Sequence, residues 1–323
     1  MNLHDDKDLF AEIVLRASQP VEVGGLGINA GFIEKDYWIT RSLQQLSSSQ
    51  SVDYAVFKGG TSLSKIFKIG ARFSEDIDIA IVSETGMHDA QLKSIIRTTQ
   101  KAMSAGLEEI DKPGMTSKGS RYRKVYFEYP QLSGVSLVDS LMSGQLLIEI
   151  NSFANPIPYS KQPVTNFIQE YLIKSGNESI VDEFDLGTFE INVLDKRTTL
   201  TEKLVSLIRF SLSDNPMTDM QAKIRHFYDL HYLASDKECK HFLNSSDFTD
   251  AFNQLLEHDR EMFEHPSGWQ KKSISESPLV QDLDYIWLQL APKYLKELPS
   301  LAYTKIPTAD EVAESIKFII ERL

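Results

Sequence analysis

Cysteine is almost absent from this sequence of 323 residues, since Cys239 is the only one. A single cysteine cannot form an intrachain disulfide, which fits a reducing compartment. Long apolar runs are missing too: no stretch of about 18 apolar residues occurs, so a membrane-spanning helix is not expected. The opening residues MNLHDDKDLF are polar and lack the apolar core of a secretory signal. We therefore expect a cytoplasmic protein with no membrane contact.

Positive charge is also scarce. Lys and Arg number 34 against 46 Asp and Glu, a formal net charge of −12. This balance argues against a surface coated with nucleic-acid-binding charge, and the acidic surplus could attract a basic partner. The net charge does not exclude a local basic groove, and GSRYRK at 119–124 carries three cations. These cations could hold a tRNA end or a nucleotide, or they could be the solvated end of a strand.

What is present is the composition of a globular protein, with 41% hydrophobic and 25% charged residues. The length is sufficient for two domains. Patterns of helix and strand alternate up to about residue 190, and helical periodicity dominates after it. We therefore expect an α/β (α+β) domain over 1–190 and a helical domain over 191–323.

Periodicity predicts the individual elements. Helices are predicted over 5–18, 29–46, 88–105, 198–210, 218–234, 247–262, 278–290 and 308–323. Strands are predicted over 54–57, 76–82, 122–129, 145–153 and 189–193. The strands at 122–129 and 145–153 suggest an antiparallel pair. Residues 156–188 look irregular, with a helix around 166–174. Ser277 before Pro278 fits a helix start.

Residues 57–81 carry the central motif, and the other candidate site residues are considered as its partners. An apolar strand runs into Gly59-Gly60, and Thr61-Ser62 can then cap a short helix. Asp76 and Asp78 follow in a run where acidic residues alternate with isoleucines, so both carboxylates point to one strand face. Two carboxylates beside a glycine turn that opens a helix could bind a divalent metal and a phosphate chain. The alternative is a solvated edge strand.

Other charged side chains could complete this site. Glu149, in the strand LLIEINSF, is the candidate for a third carboxylate, although an outward-facing strand residue is the simpler interpretation. Lys203 falls on the apolar stripe of its helix, which is costly unless it meets an anion or snorkels to solvent. The trio Glu34-Lys35-Asp36 is either a solvated helix face or a support for the site.

Arg225 and Asp229 are spaced i, i+4 on a helix. They could form a surface ion pair, worth about 0.3–0.5 kcal/mol. His226 lies beside Arg225, and a lone helix histidine is usually structural.

The order of these motifs resembles a known family. The succession of strand, Gly-Gly-Thr, helix and Asp-x-Asp strand looks like the first motif of the DNA polymerase β-type nucleotidyltransferase superfamily. The fuller motifs resemble the AbiEii/AbiGii toxin family, which includes the MenT-type toxins. They are IEKDYW at 33–38, GGTSLSK at 59–65, RFSEDIDI at 72–79, IEIN at 148–151, LTEKL at 200–204 and KIRHFYDLHYL at 223–233. The resemblance covers about residues 30–235.

The resemblance implies a nucleotidyltransferase-type mixed sheet with flanking helices, and a C-terminal helical domain that completes the active-site cleft. It makes Asp229 a catalytic-site carboxylate, which Arg225 could hold if it does not hold a phosphate and which His226 could assist, and it points to Lys203 as well. The site set is then catalytic Asp76, Asp78, Lys203 and Asp229; nucleotide-binding Gly59, Gly60, Thr61, Ser62, Ser74 and Arg225; and metal-binding Asp76, Asp78 and Glu149.

The expected function is that of a toxin in a toxin–antitoxin or abortive-infection system. Such an enzyme transfers a nucleotide from an NTP to an acceptor hydroxyl with Mg²⁺, or with Mn²⁺ in its place. The family implies a tRNA 3′ end or a protein as acceptor, and an antitoxin as partner. Two alternatives are a non-catalytic partner-binding module on the same fold and a phosphotransferase that attacks the γ-phosphate, as a kinase does.

Overall fold

The computed structural model describes residues 1–74, 76–83, 86–132 and 144–323. The chain divides into two compact units, which we call the sheet unit and the helical unit. The sheet unit comprises Met1–Ile66 and Phe73–Leu194, and the helical unit comprises Phe67–Arg72 and Asp195–Leu323. A short segment between the predicted glycine turn and the Asp-x-Asp strand thus belongs to the helical unit.

The sheet unit is built on an eight-stranded mixed sheet. Its strands are β1 (Ala55–Lys58), β2 (Asp76–Ile81), β3 (Glu108–Ile110), β4 (Ser117–Lys118), β5 (Tyr122–Glu128), β6 (Gln145–Asn151), β7 (Tyr159–Val164) and β8 (Phe189–Leu194). Their order is β3-β5-β6-β2-β1-β8-β7, and β4 pairs with β5. The pairs β2–β6 and β1–β8 are parallel, and the others are antiparallel. The predicted mixed α/β fold is confirmed, as is the antiparallel pairing of β5 with β6.

The described residues of the sheet unit also form six α-helices: α1 (Lys7–Ala17), α2 (Ala30–Ser47), α3 (Gly59–Lys65), α4 (Asp89–Met103), α5 (Phe167–Lys174) and α6 (Glu178–Glu183). Helix α2 contacts α4, β6 and β8. Most of its residues are buried, including the polar ones near its start. The core of this unit therefore lies between the sheet and α2.

The helical unit contains the remaining helices: α7 (Lys196–Ser211), α8 (Pro216–Gln221), α9 (Ile224–Ser235), α10 (Lys237–Leu243), α11 (Ser246–Met262), α12 (Pro278–Gln281), α13 (Leu283–Glu297) and α14 (Ala309–Ile320). Helix α7 packs against α8, α9 and α11, and α9 packs against α14. Within the described part of the chain, no helix is long and apolar enough to cross a membrane.

Several elements differ from the sequence prediction; among them β3, β4 and α10 were not predicted. The predicted helix 218–234 is two helices, α8 and α9, separated at Ala222-Lys223 with no glycine or proline at the break. The predicted helix 278–290 is also divided, because Asp282 leaves helical geometry and its side chain caps α13 by accepting from Tyr285 N–H at 3.0 Å. The segment 156–188, predicted irregular around one helix, also contains β7 and α6; β7 is polar and mostly exposed, so it lacks the alternation that predicts a strand.

Candidate active site

Four charged residues stand in register across the middle of the sheet. Lys58 on β1 pairs with Asp78 on β2, Asp78 pairs with Glu149 on β6, and Glu149 pairs with Lys124 on β5. Residues that are paired in register project to the same face of a sheet. We call Lys58, Asp78, Glu149 and Lys124 the charged row. Glu149 therefore lies on the strand next to Asp78, as the sequence predicts.

Strand β2 holds its carboxylates by burying its other face. Ile77, Ile79 and Ile81 are fully buried, whereas Asp76 and Asp78 are half-buried. A shift of register by one residue would bury both carboxylates and expose the isoleucines, which fixes the side to which the carboxylates point. The strand is also interior, paired with β1 and β6 along its length, so it is not a solvated edge strand.

The glycine turn brings the backbone against one of these carboxylates. Gly59 has φ +81°, a conformation that favours glycine, and a Cβ on it would lie 2.2 Å from Asp78 Oδ2. Helix α3 begins at Gly59, so Thr61 and Ser62 lie inside it and do not cap it. Their buried hydroxyls donate to the carbonyls of Asp76 (2.5 Å) and Gly59 (2.9 Å). Thr61 thus ties the glycine helix to the carboxylate strand.

The Glu149 carboxylate already has two protein partners. Lys124 Nζ lies 3.0 Å from Oε1, and the Tyr122 hydroxyl donates to Oε2 at 2.8 Å. Burial, Glu149 and Asp78 raise the pKa of Tyr122, so its hydroxyl keeps its proton and stays a donor. Glu149 therefore holds Lys124 and Tyr122 beside the carboxylate strand, and its role as a metal ligand stays a prediction.

The trio Glu34-Lys35-Asp36 is buried, so its interpretation as a solvated helix face is wrong. Asp36 Oδ1 lies 2.6 Å from Lys65 Nζ at the end of α3, and Asp36 Oδ2 accepts the Phe167 N–H at 3.0 Å. Helix α2 thus supports the short helix that begins at the glycine turn. Ser74 is half-buried in the loop before β2; Glu75 beside it lies outside the described residues.

In the helical unit, Asp229 is held by two cations. Arg72 donates to both its carboxylate oxygens, Nε to Oδ1 and Nη2 to Oδ2, each at 2.7 Å. Lys203 Nζ lies 2.7 Å from Oδ2, and all three side chains are at most 8% exposed. Burial alone would raise the pKa of Asp229, but Arg72 and Lys203 hold it well below its ordinary value. The buried lysine of the apolar stripe therefore does meet an anion.

The structure also defines the surroundings of two neighbours of Asp229, Arg225 and His226. Asp229 is bound by Arg72, whereas Arg225 Nε lies 3.4 Å from Glu297 Oε1. Asp229 therefore does not form a surface ion pair with Arg225. Burial and then the Lys203 charge lower the pKa of His226 far below its usual value, so the imidazole is neutral at pH 7. Sequence reasoning missed Arg72 as the partner because it lies 157 positions from Asp229.

The carboxylates of the sheet unit fit a magnesium ion. Among the described residues, no group of three or more His, Cys, Asp or Glu side chains is arranged to hold a metal. Magnesium needs no such cage, since it usually binds one or two carboxylates, waters and substrate phosphates. Asp76 and Asp78 supply hard oxygen ligands from one strand face, and Gly59 leaves the space beside Asp78 free of a side chain.

Comparison with known proteins identifies the family of the chain. Residues 41–315 match the family described as nucleotidyl transferase AbiEii toxin, type IV toxin–antitoxin system. The chain is thus a nucleotidyltransferase by class. It belongs to the AbiEii family of toxins, and that membership implies an NTP substrate and an antitoxin partner. The resemblance noted in the sequence motifs is confirmed.

The solved structures that match the chain include the following two. MenT4, a nucleotidyltransferase toxin from Mycobacterium tuberculosis H37Rv, is 15% identical, with 97% of this chain and 89% of that chain covered and a TM-score of 0.49. JHP933 from Helicobacter pylori is 14% identical, with 90% of this chain and 93% of that chain covered and a TM-score of 0.40. No curated protein matched the chain.

Proposed function

We propose that the chain transfers a nucleotidyl group from an NTP to an acceptor hydroxyl. The first candidate for the acceptor is a tRNA 3′ end, and the second is a protein. One observation carries the proposal: Asp76 and Asp78 share the solvent-facing side of an interior strand, and Gly59 packs its backbone against Asp78. Both carboxylates would hold Mg²⁺ or Mn²⁺. When bound, such an ion offsets the charge of the phosphates.

In the proposed reaction the acceptor oxygen attacks the α-phosphorus, and the bond from that phosphorus to the bridging oxygen of the β-phosphate breaks. Pyrophosphate leaves, and the hydroxyl proton passes to a carboxylate. Glu149 is the better candidate for this acceptor, because it stands next to Asp78 in the charged row. Asp229 is a poor one, because a carboxyl whose pKa is held low is a weak base.

Lys203 and Asp229 are proposed as catalytic residues of the helical unit. Lys203 would neutralise charge on the phosphates, and its ammonium is already oriented by Asp229 at 2.7 Å. Arg225, Ser74 and the glycine-turn residues 59–62 stay candidates for nucleotide contact. The hydroxyls of Thr61 and Ser62 are bonded to backbone carbonyls, so backbone groups are the better candidates there.

The test is label transfer from each of the four α-labelled NTPs to total RNA and to protein, with Mg²⁺. Wild type is compared with Asp78→Asn and with Asp111→Asn, a control at an exposed loop aspartate. We expect wild type and the control to label RNA, and Asp78→Asn to lose at least 100-fold. Equal transfer by Asp78→Asn, or no transfer by wild type, would contradict the proposal.

The same reaction separates the alternatives. Release of pyrophosphate indicates nucleotidyl transfer, whereas release of nucleoside diphosphate indicates attack on the γ-phosphate. Ribonuclease treatment of the labelled product distinguishes an RNA acceptor from a protein acceptor. A non-catalytic binding module would show no Mg²⁺-dependent NTP binding by calorimetry. Sequencing of tRNA 3′ ends after induction in cells would then identify the added nucleotide and its acceptor.

A further inference from the structure

Asp76, Asp78 and Glu149 lie on one face of the sheet, but their carboxylates do not form one cluster. Asp78 and Glu149 are in register on neighbouring parallel strands, and Asp76 shares their face two residues before Asp78. Even so, among the described residues no three carboxylates are placed to hold a metal ion together. The partners of Glu149 explain this separation.

The Glu149 carboxylate is engaged by two donors from β5, which borders β6 on the side away from Asp78. Lys124 Nζ lies 3.0 Å from Oε1, and the Tyr122 hydroxyl donates to Oε2 at 2.8 Å. Tyr122 and Lys124 are alternate residues of one strand, so their side chains share a face. Each oxygen of Glu149 therefore already binds a donor from β5.

Lys124 is a positive charge held beside the carboxylates of β2. Burial lowers the pKa of Lys124, but Glu149 and Asp76 raise it above its ordinary value, so the ammonium is charged at neutral pH. Asp76 acts on this ammonium from the next strand but one. The ammonium is thus within electrostatic reach of the carboxylates that fit a metal ion.

The charges on this face favour one divalent ion over two. The three carboxylates are opposed by Lys58 and Lys124, the two ends of the charged row, which leaves a single net negative charge. A second divalent ion on Glu149 would share that carboxylate with the Lys124 ammonium, and like charges at such short range repel. In two-metal sites the second ion helps to clamp the attacking and leaving oxygens. A lysine ammonium can also offset charge on a transferring phosphoryl group.

We propose that this site holds one divalent ion, on Asp76 and Asp78, and that the Lys124 ammonium takes the place of a second ion. This inference rests on the proposed transferase function. Glu149 positions Lys124, Tyr122 fixes Glu149, and the ammonium contacts the phosphates of the NTP. Glu149 is then a positioning residue and not a metal ligand.

The experiment counts bound ions and does not depend on turnover. Mn²⁺ is supplied with each of the four NTPs as its α,β-methylene analogue, which cannot release pyrophosphate. Equilibrium dialysis gives the number of Mn²⁺ ions that each chain binds. Electron paramagnetic resonance shows whether these ions are magnetically coupled, as two ions about 4 Å apart would be. The variants are Lys124→Ala and Lys124→Arg. The matched control is Lys118→Ala, because Lys118 is exposed on β4 and pairs with Glu109 outside the charged row.

We expect about one uncoupled Mn²⁺ per chain in wild type, in Lys124→Arg and in the control, and about two coupled ions in Lys124→Ala. The second ion binds in Lys124→Ala because Glu149 has lost its cation. In the label-transfer assay, Lys124→Ala should lose about 100-fold at low Mn²⁺ and recover as the Mn²⁺ concentration rises. The control should transfer label as wild type does.

A coupled pair of ions in wild type that still transfers label overturns this inference and leaves the proposed function intact. A single uncoupled ion in folded Lys124→Ala overturns it as well. If wild type neither binds Mn²⁺ nor transfers label, the proposed function fails together with this inference. Thermal melting verifies that each variant is folded, and Lys124→Gln replaces Lys124→Ala if that variant is not. The count in wild type decides the outcome even if neither variant folds.

Discussion

Lys65 and Asp36 form an ion pair of 2.6 Å, Nζ to Oδ1, in which both side chains are less than 10% exposed. The pair joins α2 to the last residue of the helix that starts at Gly59. The position of the glycine turn therefore depends on a carboxylate from another part of the chain, and this dependence can be tested.

Asp36→Ala is expected to destabilise the protein by roughly 3 kcal/mol, because it leaves a buried ammonium without this carboxylate. Urea unfolding measures the change. The matched control is Asp8→Ala, at an exposed position in the first turn of α1, where we expect a change within about 0.5 kcal/mol. Similar losses of stability in the two variants would show that the Asp36–Lys65 pair does not specifically stabilise the fold.

Gly59→Ala is expected to lower nucleotidyl transfer about 100-fold, because a new Cβ would force the Asp78 carboxylate away from its position. The control is Gly114→Ala. Gly114 has a similar backbone conformation, φ +77°, but nothing lies within 4 Å of its added Cβ. In both variants an alanine has to adopt a positive φ, which costs about 1 kcal/mol. Unfolding experiments should therefore show a comparable loss of stability from the backbone in the two variants. Comparable transfer activity in the two would refute the close-approach argument.

Arg72→Lys is expected to lower the free energy of unfolding by about 1–3 kcal/mol, because a lysine cannot reproduce the two parallel hydrogen bonds to Asp229. Arg225→Lys tests the partner that the sequence predicted for Asp229. Its pair with Glu297 is partly exposed and 3.4 Å long, so we expect less than about 1 kcal/mol. Denaturant midpoints compare the two, and a larger loss at Arg225 would contradict this assignment.

Glu34→Gln is expected to change how stability depends on pH. Burial raises the pKa of Glu34 to about 7 from an ordinary value of 4.5. Between those values the folded state holds a proton that the unfolded state has released, so wild-type stability falls as pH rises through this window. The glutamine does not titrate, and its oxygen can still accept the Leu132 N–H that Glu34 accepts at 2.8 Å.

The stability of wild type relative to Glu34→Gln should therefore fall by roughly 3 kcal/mol between pH 4.5 and pH 7 and level off above pH 7. Urea unfolding of both proteins at pH 4.5, 6 and 8 measures the difference. A constant difference across this range would mean that Glu34 titrates at its ordinary value.

Local patterns predicted the parts of the site that depend on neighbours in sequence. The alternation of Asp and Ile placed Asp76 and Asp78 on the exposed face of a strand, and the isoleucines are indeed buried. The apolar stripe around Lys203 left two interpretations open, an anionic partner or a path to solvent, and the structure supplies Asp229 as the partner. In both cases the burial of apolar neighbours fixes where the polar side chain points.

The ion pairs between residues that are distant in sequence were not predicted. Nothing in the residues around Arg72 indicates that its partner is Asp229, and nothing near Asp36 indicates Lys65, since each pair is made by the packing of distant elements. Strand β7 escaped for a related reason: it is formed by its ladder with β8 and has no apolar face of its own.

The segment Phe67–Arg72 has a practical consequence for dissection of this protein. The arginine that grips Asp229 is encoded before the Asp-x-Asp strand, although the rest of the helical unit begins at Asp195. A gene fragment for residues 195–323 would therefore produce a buried carboxylate and lysine without their guanidinium group. A fragment that ends at residue 194 would carry that arginine with no carboxylate to receive it. Truncation near residue 194 would therefore separate Arg72 from Asp229, so the loss of activity in either fragment would not by itself locate the chemistry.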